Sequence, residues 1–245
     1  MTREQVYGRR SVREALRGRR EVLELWATER ALNAEPWLRE LERPRLQVKP
    51  ERELSEAAGT RDHQGVLAWC EPYRYADAWE LVAEERPLLA CLDQVTDPRN
   101  LGAVIRSAEG VGATGVVLPA HGSATVTAAV ARSSAGAVEH LPVAVVPNLA
   151  RYLSEVKSGD LWIYAAAGDA EQTMWDMDLS GGVAFVFGAE GKGIRPLVRR
   201  TCDAAVSIPL AGMVESLNVS VAAAVLLYEA RRQRSTSNST HSFHT

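Results

Sequence analysis

Residues 88–119 read LLACLDQVTDPRNLGAVIRSAEGVGATGVVLP. Leu88 to Val95 is apolar except for Asp93 and Gln94, which predicts a strand buried on both faces. A polar turn follows, and Asp97 or Asn100 is placed to cap the helix that begins there. Gly110 and Gly112 end that helix, and Gly115–Pro119 is a second apolar strand. A strand, a helix and a strand with continuous apolar strands predict a parallel sheet covered by helices.

The same alternation continues outward. Apolar runs recur at Leu141–Val146, Leu161–Ala166, Val183–Phe187 and Ala205–Pro209, and Ser216–Arg232 reads as a closing helix. The final stretch, residues 235–245, is polar and rich in small residues and reads as a disordered tail. On the other side, residues 73–87 are polar, acidic and bounded by prolines, which predicts a linker with one helical turn. Residues 1–72 read as a separate small α/β unit. Its helices are expected near Gly8–Leu16, Pro36–Leu41 and Glu51–Ala57, and its strands at Val22–Trp26, Leu46–Val48 and Gly65–Trp69.

Composition sets the outer limits. The chain has 245 residues, 46% of them apolar and 24% charged, as in an ordinary globular protein. No apolar run reaches spanning length, so no membrane segment is expected. The N-terminal residues carry charge without an apolar core behind them and do not read as a secretory signal. Cys70, Cys91 and Cys202 lack the spacing of a disulfide framework or a zinc site, which points to a reduced, cytoplasmic setting and no metal. The net charge of −3 does not by itself announce a nucleic-acid binder, although a local basic surface is sufficient for that.

Two glycine-rich stretches imitate phosphate loops and fail on context. Gly110–Gly115 matches G-x-G-x-x-G but follows a helix and precedes a strand, the reverse of a dinucleotide fingerprint. Gly188–Gly193 lacks the glycine that a Walker loop needs where Val186 stands, and the hydroxyl it needs where Gly193 stands. What remains is a strand entering a loop with three glycines and one carboxylate, Glu190. A third segment, Ile208–Ser220, has a strand ending at Pro209 and Ser216 as a natural helix cap. Each segment has a plain structural reading as a turn or a cap. Taken alone, Arg106 reads first as a solvated arginine on an amphipathic helix. The histidines offer no metal spacing, and no nucleophile elbow is present.

Taken together, DPRNLGAVIRSAEGVGA (97–113), FVFGAEGKGIR (185–195) and SIPLAGMVESLNVSVAAAVLLYEARRQR (207–234) resemble the SpoU/TrmH family of RNA ribose methyltransferases, in order and in spacing. The resemblance spans residues 88–234. The N-terminal VYGRRSVREALRG and the later HQGVLA are similar to the substrate-binding domain of bacterial 23S rRNA guanosine 2′-O-methyltransferases. The fold implied is α/β: a trefoil-knotted, parallel-sheet methyltransferase domain preceded by a small L30e-like α/β domain.

The resemblance implies a homodimer, S-adenosyl-L-methionine as cofactor, and methyl transfer to a ribose 2′-hydroxyl of RNA. Among the family's motif positions fall Asn100, Arg106, Glu190, Ser216 and Asn218. The cofactor would lie against Ala166, Gly168, Phe187, Gly188, Ala189, Gly191, Ile208, Leu210, Ser216, Leu217 and Asn218. An arginine is always protonated and offers no acceptor, so Arg106 is expected to clamp the phosphate and 2′-oxygen, acting as a base only with phosphate help. Glu190 is expected to hold Arg106 or backbone amides. Arg10, Arg13, Arg17 and Arg20 are spaced to share one helix face toward RNA, or else to form a solvated face balanced by Glu14 and Glu21. The alternatives are a tRNA guanosine methyltransferase, an rRNA adenosine methyltransferase conferring antibiotic resistance, and a non-catalytic ribosome-assembly protein.

Overall fold

The computed structural model describes residues 2–240 and divides into two compact units. The first unit comprises Met1–Arg74 and Thr125–His140; the second comprises Tyr75–Ala124 and Leu141–Thr245.

In the first unit, the chain runs β1 (Glu4–Tyr7), α1 (Arg9–Ala15), β2 (Val22–Ala27), α2 (Glu29–Ala34), β3 (Leu46–Val48), α3 (Glu51–Ala58) and β4 (Val66–Cys70). The strands form one sheet in the order β1-β4-β2-β3, antiparallel except for the β2–β3 pair. The expected helix at Pro36–Leu41 is one 3-10 turn, Pro36–Leu38, and α1 stops at Ala15. The short helix α5 (Ala128–Ser133) comes from the middle of the chain and packs on this unit. There the Ser11 hydroxyl donates to the Ala131 carbonyl at 3.0 Å.

The core of that junction is ionic. Glu139 is fully buried, and the Arg20 side chain is only 7% exposed. Arg20 Nε donates to Glu139 Oε2 at 2.9 Å, a second terminal N–H binds Oε1, and Nη1 reaches Glu4 at 3.2 Å. The Arg20 guanidinium also sits over the Tyr73 ring, 5.4 Å from its centre.

The second unit continues with β5 (Leu88–Asp93), α4 (Pro98–Gly110) and β6 (Gly115–Pro119). After the excursion come β7 (Val143–Val146), α6 (Leu149–Val156), β8 (Leu161–Ala166), β9 (Gly182–Gly188), α7 (Pro196–Thr201), β10 (Ala204–Val206) and α8 (Val219–Thr240). All six strands are parallel, in the order β10-β8-β9-β5-β6-β7. Strand alternation sends Leu89, Cys91, Ala184 and Val186 to one face, where α6 and α7 bury them. Phe185 and Phe187 point to the other face, toward α8. Each fully buried leucine or phenylalanine contributes roughly 1.5–3 kcal/mol of transfer free energy. That double covering is why these strands read as unbroken apolar runs.

Residues expected to link the two parts are partly built into the second core: Ala78 and Leu81 are buried, with one turn at Glu80–Val82. The last helix continues to Thr240, past the point where the tail was expected to begin at 235; residues 241–245 lie outside the described residues. Among the described residues, no helix is long and apolar enough to cross a membrane, and no His, Cys, Asp and Glu group could hold a metal.

Candidate functional site

The carboxyl ends of β8, β9 and β10 open into one cavity of ≈ 1090 Å³. In an open parallel sheet, ligands gather at that end. The strand order reverses beside β9: β5, β6 and β7 step outward on one side, and β9, β8 and β10 lie on the other.

At the end of β9, the chain turns back at once. Ala189 and Gly193 form an antiparallel bridge, with Gly193 N donating to the Ala189 carbonyl at 2.8 Å. A Cβ on Gly188 would fall 2.1 Å from the Gly193 carbonyl carbon, so only glycine fits. Gly191 and Gly193 adopt φ of 75° and 67°, the left-handed region. The glycine content therefore has a local cause: the close approach at Gly188 is to the loop's own backbone. The base of this turn is pinned by Asp93, a fully buried carboxylate at the end of β5. It accepts from Arg195 N and Nε, both at 2.8 Å.

The turn presents Glu190 to two asparagines. Asp97, not Asn100, caps α4 by accepting from Arg99 N at 2.8 Å, with Pro98 as the first helical residue. That leaves Asn100 free to donate from Nδ2 to Glu190 Oε1 at 3.0 Å. Asn218 donates to the same oxygen and also to Asn100 Oδ1 at 3.1 Å. Its own Oδ1 accepts from Ser220 N at 2.8 Å and from the Ser220 hydroxyl at 2.6 Å. Asn218 is thus the cap of α8, a role expected for Ser216. Ser216 is exposed in the loop before the helix and lines the cavity.

The residues expected at the cofactor all line this one cavity, from Ala166 and Gly168 through Phe187–Gly191 to Ile208, Leu210 and Ser216–Asn218. Glu190 lines it, and Asn100 reaches it through Glu190. Arg106 does not join them. It lies on the exposed side of α4, and among the described residues its guanidinium makes no hydrogen bond or ion pair. Glu190 is held by the two asparagines, and within one chain no bond joins it to Arg106 among the described residues. Four further charged residues line the cavity: Lys192 and Glu215 within the quoted segments, and Asp169 and Arg199, which carried no sequence signal. Asp169 and Arg199 lie thirty residues apart, and only the fold brings them into the bidentate pair, at 3.0 and 2.9 Å. The Arg199 hydrogen bonds hold the Asp169 carboxyl below the ordinary range and raise the guanidinium further.

In the first unit, Arg10 and Arg13 are exposed on α1, and Arg17, beyond its end, pairs with Glu14 at 3.4 Å. Arg20 cannot share their face, because α1 ends five residues before it and its side chain is buried against Glu139. Burial pushes the Cys70 and Cys202 thiols up to about 12 and Cys91 higher still, so none is a nucleophile at neutral pH.

Comparison with known proteins gives the chain its relatives. Residues 87–228 match the SpoU rRNA Methylase family, and residues 5–76 match the RNA 2′-O ribose methyltransferase substrate-binding family. The chain is 42% identical over 245 residues to the 23S rRNA (guanosine-2′-O-)-methyltransferase RlmB of Pseudomonas putida, covering 94% of this chain and 97% of that one. It is 49% identical over 185 residues to the RlmB of Ralstonia nicotianae, covering 74% of each. The SpoU methyltransferase AviRb of Streptomyces viridochromogenes, crystallised with its cofactor AdoMet, superposes with a TM-score of 0.82 at 27% identity, covering 96% of this chain and 91% of that one.

Proposed function

The chain belongs to the SpoU rRNA methylase family, and from that premise we propose that it methylates the ribose 2′-hydroxyl of a guanosine in 23S rRNA, using S-adenosylmethionine. The observation that carries this reading is the meeting of three distant segments, at Asn100, Glu190 and Asn218, beside one cavity at the strand ends.

The cavity suits that cofactor. Ile208 and Leu210 offer apolar surface for an adenine, and the glycine turn keeps side chains out of the way. Three carboxylates, of Asp169, Glu190 and Glu215, stand against two cations, Lys192 and Arg199, an excess of negative charge that favours a sulfonium. When bound, S-adenosylmethionine supplies an electrophilic methyl on a cationic sulfur, which becomes a neutral thioether as the carbon–sulfur bond breaks.

The protein must align the 2′-oxygen with that methyl and take up its proton. Glu190 Oε1 is occupied by the two amides, while among the described residues its other oxygen accepts no hydrogen bond. The amides hold the carboxylate in one orientation, and that free oxygen faces the incoming ribose. Ser216 orients the same loop. Arg106 clamps the neighbouring phosphate with its planar fork. No bond joins Arg106 to its own cluster among the described residues, and a second copy of the chain supplies the Arg106 that reaches the ribose. The exposed apolar side chains of Met213, Val214, Leu217, Val221 and Tyr228 form the surface for that homodimer, and Tyr228 lies against Gly110 of α4. The trefoil knot of this domain is carried over from the family. The L30e-like unit, with Arg10, Arg13 and Arg17, grips the rRNA in the cytoplasm. The division expected at 1–72, 73–87 and 88–234 holds for this reading with one change, that residues 125–140 return to the RNA-binding unit.

The test is transfer by the purified protein. Incubated with labelled S-adenosylmethionine and either 23S rRNA or tRNA, it should place label in 2′-O-methylguanosine of the rRNA. Label confined to tRNA, or found in adenosine, would replace this reading with one of its rivals.

A further inference from the structure

One charged pair in the cavity enters the account above only through its net charge. Asp169 follows β8, and Arg199 lies on α7; both line the same cavity as Gly188 and Ile208. Their positions are fixed from below. Ala167 N donates to the Val206 carbonyl at 3.0 Å, Met174 N to the Ser207 carbonyl at 2.9 Å, and the Ser207 hydroxyl to the Gln172 carbonyl at 3.1 Å. These bonds tie the loop bearing Asp169 to the end of β10. Arg199 N donates to the Arg195 carbonyl at 2.9 Å, and Arg195 is itself held by Asp93.

The pairing leaves binding capacity unused. Arg199 spends one N–H of each terminal nitrogen on Asp169, and an arginine offers five. Among the described residues its Nε–H has no partner. A second carboxylate therefore fits edge-on to Nε and a terminal nitrogen without displacing Asp169. Asp169 likewise keeps acceptor capacity for a cation.

We propose that Asp169 and Arg199 are the receptor for the amino-acid end of S-adenosylmethionine, Arg199 taking its carboxylate and Asp169 its ammonium. This assignment rests on the proposed cofactor. The sheet order supports it. Asp169 follows β8, Glu190 follows the adjacent β9, and Asn100 follows β5 beyond that. Neighbouring strands lie about 4.8 Å apart, so the loops that carry Asp169 and Glu190 leave the sheet one strand spacing apart. A short carbon chain covers that distance from a sulfur held at the reacting cluster. Lys192 is the rival cation, but it is a point charge at the tip of the glycine turn and offers no bidentate edge.

Titration calorimetry with three ligands separates the contributions: S-adenosylmethionine, its decarboxylated form, and 5′-methylthioadenosine, which lacks the amino acid altogether. The wild-type protein should bind S-adenosylmethionine roughly tenfold more tightly than the decarboxylated form, the size expected of a charge-assisted hydrogen-bonded pair near solvent. Arg199→Ala should bring that ratio close to one, and Arg199→Lys should leave it in between. Asp169→Asn should weaken both amine-bearing ligands alike. Binding of 5′-methylthioadenosine should survive in every variant, which shows that the cavity is still formed. A tenfold preference that persists in Arg199→Ala, or that disappears in Lys192→Ala instead, would overturn the receptor. A wild-type protein that binds S-adenosylmethionine without the preference would overturn the receptor alone. One that binds none of the three would overturn the methyltransferase reading itself.

Discussion

Asn218 joins a helix cap to the candidate catalytic cluster: its carbonyl oxygen caps α8 through Ser220, while its amide nitrogen donates to Glu190. The two ends of one side chain therefore do separable work. Asn218→Ala should cost about 1 kcal/mol of stability through the lost cap. It should also lower turnover roughly a hundredfold, by releasing the carboxylate from its orientation. Asn218→Ser restores a capping oxygen but not the amide. Thermal melts should recover with Ser while turnover stays low; recovery of both would show that only the cap mattered.

Gly188→Ala puts a methyl group 2.1 Å from the backbone carbon of Gly193. The obstacle is backbone, not a movable side chain, so the turn must open. Cofactor affinity measured by calorimetry should fall at least tenfold, with the melting temperature much less affected. Normal affinity in this variant would mean that the turn does not shape the cofactor site.

The Arg20–Glu139 pair should behave as a buried ion pair. Glu139→Ala leaves Arg20 nearly solvent-free beside Tyr73, with only Glu4 for company. The expected loss is about 3–5 kcal/mol, read from denaturant unfolding. Replacing both partners with apolar residues, Arg20→Met with Glu139→Leu, should recover most of it. A Glu139→Ala variant as stable as wild type would contradict the pairing.

Val221→Arg introduces a charge on the exposed apolar side of α8. If two copies meet there, sedimentation should show a monomer where the wild type is a dimer, and turnover should collapse while cofactor binding persists. A dimer that survives the substitution would place the interface elsewhere.

Much of this was legible in the sequence, for physical reasons. Strands covered on both faces leave unbroken apolar runs, so β6 and β8 were read at their observed ends. The strand β1 was missed because its four residues bury only Val6 deeply, too short a pattern to register. The packing of Thr125–His140 on the first unit could not be read, since a six-residue helix carries no sign of which core receives it. Within the site, side chains near strand ends could be named. Their partners could not: Asn100 is bonded to residues 90 and 118 positions away. The cap of α8 was misplaced by two residues because Ser216 and Asn218 are both good caps, and only the bond to Ser220 decides between them.

The central claim is methyl transfer to one ribose of 23S rRNA. The most direct measurement is a map of ribose methylation across 23S rRNA and tRNA from cells with the protein, without it, and with Asn218→Ala in its place. One 2′-O-methylguanosine in 23S rRNA should disappear without the protein, return with the wild-type chain, and stay largely absent with the variant. An unchanged 23S rRNA map, or a mark lost from tRNA instead, would contradict it.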